Sequence, residues 1–166
     1  MLCYIKRPGV LEEEEITRAL YDFLRAKKWE ILSYGVPRGM KARVVHDPDS
    51  GFRSKDSIIP DIIARRENVL LVMENKSRLA VRDVIKLQKM TLGHVRYMKE
   101  IFKLSEIENV VIQRALGLSE FSLDRDSQRI PEDFIIFIVD TTITVYARPH
   151  VQIPANLLGE LNAKKI

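Results

Sequence analysis

Pro60-Asp61-Ile62-Ile63-Ala64-Arg65-Arg66-Glu67-Asn68-Val69-Leu70-Leu71-Val72-Met73-Glu74-Asn75-Lys76 is the stretch whose reading decides the fold. Two apolar, strand-like runs, Ser57–Ala64 and Val69–Met73, flank the polar patch Arg65–Asn68. With Glu67-Asn68 as the two-residue turn of a β-hairpin, counting back along both arms sets Asp61 opposite Glu74. Directly opposed residues share a face, with Cβ atoms about 5 Å apart. Side chains alternate along a strand, so Lys76 joins Glu74 on that face. Two carboxylates and one ammonium then converge on one spot, an arrangement in which hard divalent ions such as Mg²⁺ find oxygen ligands.

A Glu-x-Lys triplet alone is weak, since average usage yields on the order of one per chain of this length. A carboxylate and a lysine two apart usually mark a solvated strand face or a structural ion pair. Here the triplet directly follows Val69-Leu70-Leu71-Val72-Met73, which reads as a buried central strand. Charges at the end of such a strand cost desolvation energy unless something offsets it. An ion held by both acids would do so.

The flanking chain supplies the rest of a domain. Leu11–Lys28 reads as a helix, with Ile16, Ala19, Leu20, Phe23 and Leu24 at helical spacing and Glu12-Glu13-Glu14-Glu15 complementing the dipole at its start. Trp29–Val36 reads as a strand, closed by Pro37 and Gly39. The polar, basic segment 38–56 is a long loop or small insertion, a length that is often functional. Val81–Leu104 carries a second helical stripe, Val84, Leu87, Thr91, Val95, Met98 and Phe102, blemished by Gly93. Val110–Leu118 is a fourth strand, Ser119–Asp133 a polar link, and Phe134–Val139 and Thr142–Ala147 are extra C-terminal strands joined at Asp140-Thr141. A short helix, Pro154–Leu161, follows. This order predicts an α/β (α+β) domain over residues 1–166, a mixed central sheet flanked by helices.

Pro60-Asp61, twelve intervening residues, then Glu74-Asn75-Lys76 resembles the signature of the PD-(D/E)XK nuclease superfamily, the restriction-endonuclease-like fold. The resemblance spans Leu11 to Leu118, because that family's core has the same order of helix, three-strand meander, helix and strand. It implies a Mg²⁺-dependent endodeoxyribonuclease, with Mn²⁺ as a substitute ion. Asp61 and Glu74 would be metal ligands, with the backbone carbonyl of Asn75 as a third. Lys76 would orient the attacking water and stabilise developing charge. Many family members add a glutamate from the first helix. At about 100° per residue, Glu13 lies near the apolar face of Ile16, Leu20 and Phe23, with Glu12 second; that the acids merely solvate the helix start is an equal contender. A type II restriction endonuclease is the leading expectation, acting on double-stranded or branched DNA as a homodimer that places one site on each strand. A Holliday-junction resolvase or repair nuclease is the nearest rival. From another class, the rival is a non-catalytic DNA-binding or assembly subunit that keeps the fold, a role for which Asp61, Glu74 and Lys76 together would be unnecessary.

Composition is permissive. Net charge is +4, which allows polyanion binding without demanding it. Arg78, Arg82, Lys86 and Lys89 follow i+3 or i+4 steps and could form one basic ridge beside the site; a solvated helix face is an equal contender. Lys41 and Arg43, in the 38–56 segment, are further candidates for contact with DNA. Cys3 is the single cysteine, which excludes an intrachain disulfide and a Cys-rich zinc site. No run approaches the ~20 apolar residues of a membrane span, so a cytoplasmic location is expected. His46, His94 and His150 are dispersed and form no ligand set. Neither a phosphate-cradling Gly-rich loop nor a Gly-x-Ser-x-Gly element is present.

Overall fold

Ile16, Leu20 and Leu24 recur at four-residue steps and are fully buried, and around them forms the first helix, α1 (Glu13–Ala26). Each such side chain removed from water contributes roughly 1.5–3 kcal/mol. The Glu12 N–H donates to the Glu15 carboxylate at 2.8 Å, satisfying one donor at the helix entry. At the other end Lys28 takes φ 64° and the Trp29 N–H reaches the Leu24 carbonyl at 2.9 Å. That is a Schellman closure with lysine in glycine's usual place. The chain turns at once into β1 (Glu30–Tyr34).

The computed structural model describes residues 9–35, 60–93, 95–104, 107 and 109–166. The expected 38–56 insertion, with Lys41, Arg43 and His46, lies outside them, as do Ser57 and His94. After β1 come β2 (Ile62–Arg66) and β3 (Val69–Arg78), which pair antiparallel as Ile62↔Met73 through Arg66↔Val69. Glu67-Asn68 is therefore the two-residue turn expected, with Glu67 at φ 52°. The helical pattern expected over Val81–Leu104 is described as α2 (Val81–Gly93) and α3 (Val95–Ile101), the spans on either side of His94.

A crossover through these helices brings β4 (Val111–Glu120) parallel to β3, Val69 beside Val111 and Lys76 beside Leu118. The link expected to be irregular contains a short helix, α4 (Leu123–Asp126), and a single 3₁₀ turn at Ser127–Arg129. β5 (Phe134–Val139) runs parallel to β4, and β6 (Ile143–Ala147) returns antiparallel. α5 (Ala155–Glu160) leads to a two-residue strand the sequence reading did not anticipate, β7 (Lys164–Lys165), parallel to β6. The described strands form one mixed seven-stranded sheet in sequential order.

Alternation along β3 divides the core in two. Val69, Leu71 and Met73 pack with Ile16, Leu20 and Leu24 of α1 and with Leu157 of α5. Leu70 and Val72 pack on the opposite face with Val84, Leu87 and Met90 of α2 and with Met98 and Phe102. Helices thus cover both faces, which explains the unbroken apolar run of β3. The late strands continue this sheet: β5 lies between β4 and β6 with five of its six residues buried. An interior strand offers no free edge for pairing with a second copy. Among the described residues no helix is long and apolar enough to cross a membrane.

Candidate active site

The β2–β3 hairpin continues one residue beyond its last regular pair. The Asp61 N–H donates to the Met73 carbonyl at 3.0 Å, and the Gly35 N–H donates to the Asp61 carbonyl at 2.8 Å. Asp61 is thereby held at the end of three neighbouring strands, opposite Glu74, as the hairpin count requires. Its Oδ2 accepts a hydrogen bond from the Asn75 backbone N–H at 2.7 Å.

Beyond Met73 the alternation of β3 separates three polar side chains. Glu74 follows the face of Leu70 and Val72 towards α2, where the Lys86 ammonium donates to its Oε1. Its other oxygen, Oε2, is buried and has no hydrogen-bond partner among the described residues. Only 2% of Glu74 is exposed. Asn75 turns towards α1, where its Nδ2 donates to Thr17 Oγ1 at 2.9 Å, and Thr17 donates to the Glu13 carbonyl at 2.8 Å. Lys76 was expected to share the face of Glu74, but its long side chain reaches α1, and its ammonium pairs with Glu13 Oε1 at 2.5 Å. Of the two candidate helix glutamates, Glu13 is the one brought to Lys76; Glu12 stands at the helix entry with its N–H on Glu15.

Five charged groups therefore act on one another where the two helical layers approach the end of β3. Burial, and then the adjacent Asp61 charge, push the Glu74 carboxyl up to about 7, against the lowering effects of Lys86 and Lys76. Burial also raises Asp61, opposed by the Asn75 N–H and by Lys76. Burial lowers Lys76, but the hydrogen bond to Glu13 and the charges of Asp61, Glu13 and Glu74 outweigh it and hold the ammonium above its ordinary value. A cleft of about 210 Å³ opens beside this group, lined by Glu13, Glu14, Thr17, Gly35 and Asp61.

Among the described residues no group of three or more His, Cys, Asp or Glu side chains is arranged to hold a metal. Two carboxylates are nonetheless a fitting set for Mg²⁺, which keeps several waters and binds through one or two carboxylates together with substrate oxygens. The unpartnered Oε2 of Glu74 and the two mutually repelling acids are what such an ion would satisfy. Asn75, expected to offer a carbonyl, makes two other contacts: its N–H fixes Asp61 and its amide pins α1 to the sheet.

The other expectations fare unevenly. Arg78 belongs to β3, before α2 begins, and pairs with Glu120 at 2.8 Å, so no single helical ridge runs from Arg78 to Lys89. Arg82 and Lys89 are exposed on α2, whereas Lys86 turns to Glu74. The charge on Lys86 thus faces a site acid rather than open solvent, a role that its spacing from the other cations could not reveal. His150 is exposed and faces Glu132. Gly117 was missed as well. A Cβ there would lie 2.3 Å from Asn75 Oδ1 and 2.4 Å from Leu20 Cδ1, so only glycine lets Asn75 and α1 come together over β4. Its signal was a glycine interrupting an apolar strand.

The chain matches no protein-family model, no curated protein and no solved structure.

Proposed function

We propose that this protein is a Mg²⁺-dependent endodeoxyribonuclease with a PD-(D/E)XK-type site at Asp61, Glu74 and Lys76, on a restriction-endonuclease-like core. The observation that carries this reading is the buried Glu74 carboxylate, unpartnered at Oε2, beside Asp61. Two acids forced together at the end of a hydrophobic strand destabilise the metal-free protein. A structural ion pair would gain nothing from that arrangement, whereas a cation site needs it.

In this reading Asp61 and Glu74 would hold Mg²⁺, and the ion would supply water activation and Lewis-acid stabilisation of charge on the phosphate. Asn75 keeps Asp61 aimed through its backbone N–H. Lys76, kept protonated by Glu13, stabilises the negative charge that builds on the phosphate as the water attacks. Glu13 orients Lys76 through their ion pair and is tied to β3 through Thr17 and Asn75. No covalent intermediate is required.

Duplex and branched DNA are both compatible substrates. Incubating supercoiled plasmid and a labelled four-way junction with the protein, with and without Mg²⁺, tests the reading. Metal-dependent cleavage is expected; discrete duplex fragments identify a restriction enzyme and selective junction cutting a resolvase. Absence of cleavage of either substrate in Mg²⁺ and in Mn²⁺ would overturn the assignment in favour of a non-catalytic DNA-binding subunit.

A further inference from the structure

Two residues past Lys76, β3 ends at Arg78, about 6.6 Å farther along the strand. There Arg78, Leu79 and Glu120 line a cleft of about 200 Å³ together with Arg125, Asp126 and Arg129 of the link after β4. Three guanidiniums against two carboxylates leave the cleft positive. The acids are not equivalent. Glu120 lies at the rim with Arg78, while Asp126 is buried, 2% exposed, beneath Arg125 and Arg129.

Asp126 acts as an anchor. Its two oxygens accept from Arg125 Nε at 3.0 Å and Nη2 at 2.9 Å, and Oδ2 also accepts from the Ser122 N–H at 3.0 Å. Arg129 Nη1 stands 3.6 Å from Oδ1. The hydrogen bond from Arg125, with help from Ser122 and the Arg129 charge, holds this carboxyl below its usual range despite burial. A forked pair of this kind fixes the plane of a guanidinium. The cations nevertheless remain open to solvent, with side-chain exposures of 58% for Arg78, 68% for Arg125 and 48% for Arg129. An ionised, buried carboxylate that fixes exposed arginines is more than a solvated surface requires. Exposed ion pairs of ordinary kind add little stability.

We infer that Arg78, Arg125 and Arg129 form a phosphate-binding cleft that grips the DNA backbone at a phosphate away from the one being cut. This rests on the nuclease reading and extends it: the cleft adjoins the strand that carries Lys76, so one DNA strand can reach both. Planar guanidiniums suit phosphate oxygens through paired N–H donors, and such contacts give affinity and register but no sequence information. The class of ligand is a phosphodiester, held without regard to base.

The test uses fluorescence anisotropy with a fluorescein-labelled 20-base-pair duplex and a labelled four-way junction, in Ca²⁺, over a salt series. The variant is Arg78→Gln/Arg129→Gln, which leaves Arg125 on Asp126 and so keeps the buried acid paired. Arg25→Gln/Lys28→Gln removes two charges at the far end of α1, about 20 Å from its start, and serves as the charge-matched control. The expected result is a roughly tenfold weaker Kd for the cleft variant on either DNA, with the salt slope reduced by about one, as for one lost phosphate contact. The control should stay within twofold of the wild type. Circular dichroism verifies folding, and Arg78→Gln alone, which does not touch Asp126, should show a smaller loss in the same direction. If the wild type binds DNA and the cleft variants bind equally well, or the control weakens as much, the cleft is overturned while the nuclease reading stands. If the wild type binds neither DNA, both fall.

Discussion

The two halves of β3 differ as much as any two regions of the molecule. From Val69 to Met73 every side chain is apolar, fully buried and packed against one of two helical layers. From Glu74 to Lys76 the same strand carries two buried polar groups and a lysine, with a carboxyl pushed up to about 7. The first half stabilises the fold; the second lowers stability to hold charges that water would hold more cheaply. Such a local conflict with the rules of burial is expected at functional sites. Stability and activity should therefore respond in opposite ways to changes on either side of the boundary at Met73.

The largest effects fall on activity. Asp61→Ala and Lys76→Ala should each lower Mg²⁺-dependent DNA cleavage by at least about 10³-fold, equivalent to about 4 kcal/mol of barrier, with little change in the denaturation midpoint. Single-turnover cleavage and urea unfolding read the two quantities separately. Normal turnover in either variant would remove the distinction between the halves. Leu71→Ala should do the reverse, costing 2 to 5 kcal/mol of stability, at about the usual scale for a buried leucine, in urea denaturation. A loss below about 1 kcal/mol would show that the first half is not the structural core.

Glu74→Gln sharpens the comparison through pH. Because the folded, metal-free protein holds the Glu74 proton up to about 7 and the unfolded chain releases it near 4.5, the folded state binds more protons across that window. Stability in EDTA should thus be greatest below pH 4.5, as far as this group is concerned, and fall as pH rises through 7, by about 3 kcal/mol at most. Asp61, also raised, acts in the same sense. The glutamine variant should show a much flatter profile between pH 4.5 and 7. An unchanged slope would mean that Glu74 is not the group under strain. The smallest effect concerns the joint between the halves. Gly117→Ala forces a methyl against Asn75 and Leu20, and should cost about 1 to 3 kcal/mol together with a partial loss of cleavage, since Asn75 positions Asp61. Full stability and activity in that variant would show that the close approach is incidental.

How much of this was legible in the sequence depends on whether the information was local. The hairpin could be counted because a two-residue turn fixes register, and Glu13 could be phased because Ile16 and Leu20 set the buried face of α1. Lys86 could not be recognised as Glu74's partner, because its position depends on how α2 packs on the sheet. The same non-locality hid Gly117, whose requirement appears only when α1, β3 and β4 are stacked. Arg78 was read as the start of a helical ridge since i+4 spacing cannot distinguish the last turn of a strand from the first turn of a helix. Arg125 and Arg129 lay in a segment read as a polar link, where the buried Asp126 gave no signal in the sequence.

The central claim, that Asp61 and Glu74 are held together for a divalent cation, is tested most directly by thermal unfolding at pH 7.5 in EDTA and in Mg²⁺. With Mg²⁺ at about ten times its Kd, the wild type should gain about 1.4 kcal/mol, a rise in Tm of roughly 3–6 °C for a chain of this size, and Asp61→Asn/Glu74→Gln should gain none. An equal response of wild type and variant to Mg²⁺, or no response of the wild type at any concentration, would contradict the account.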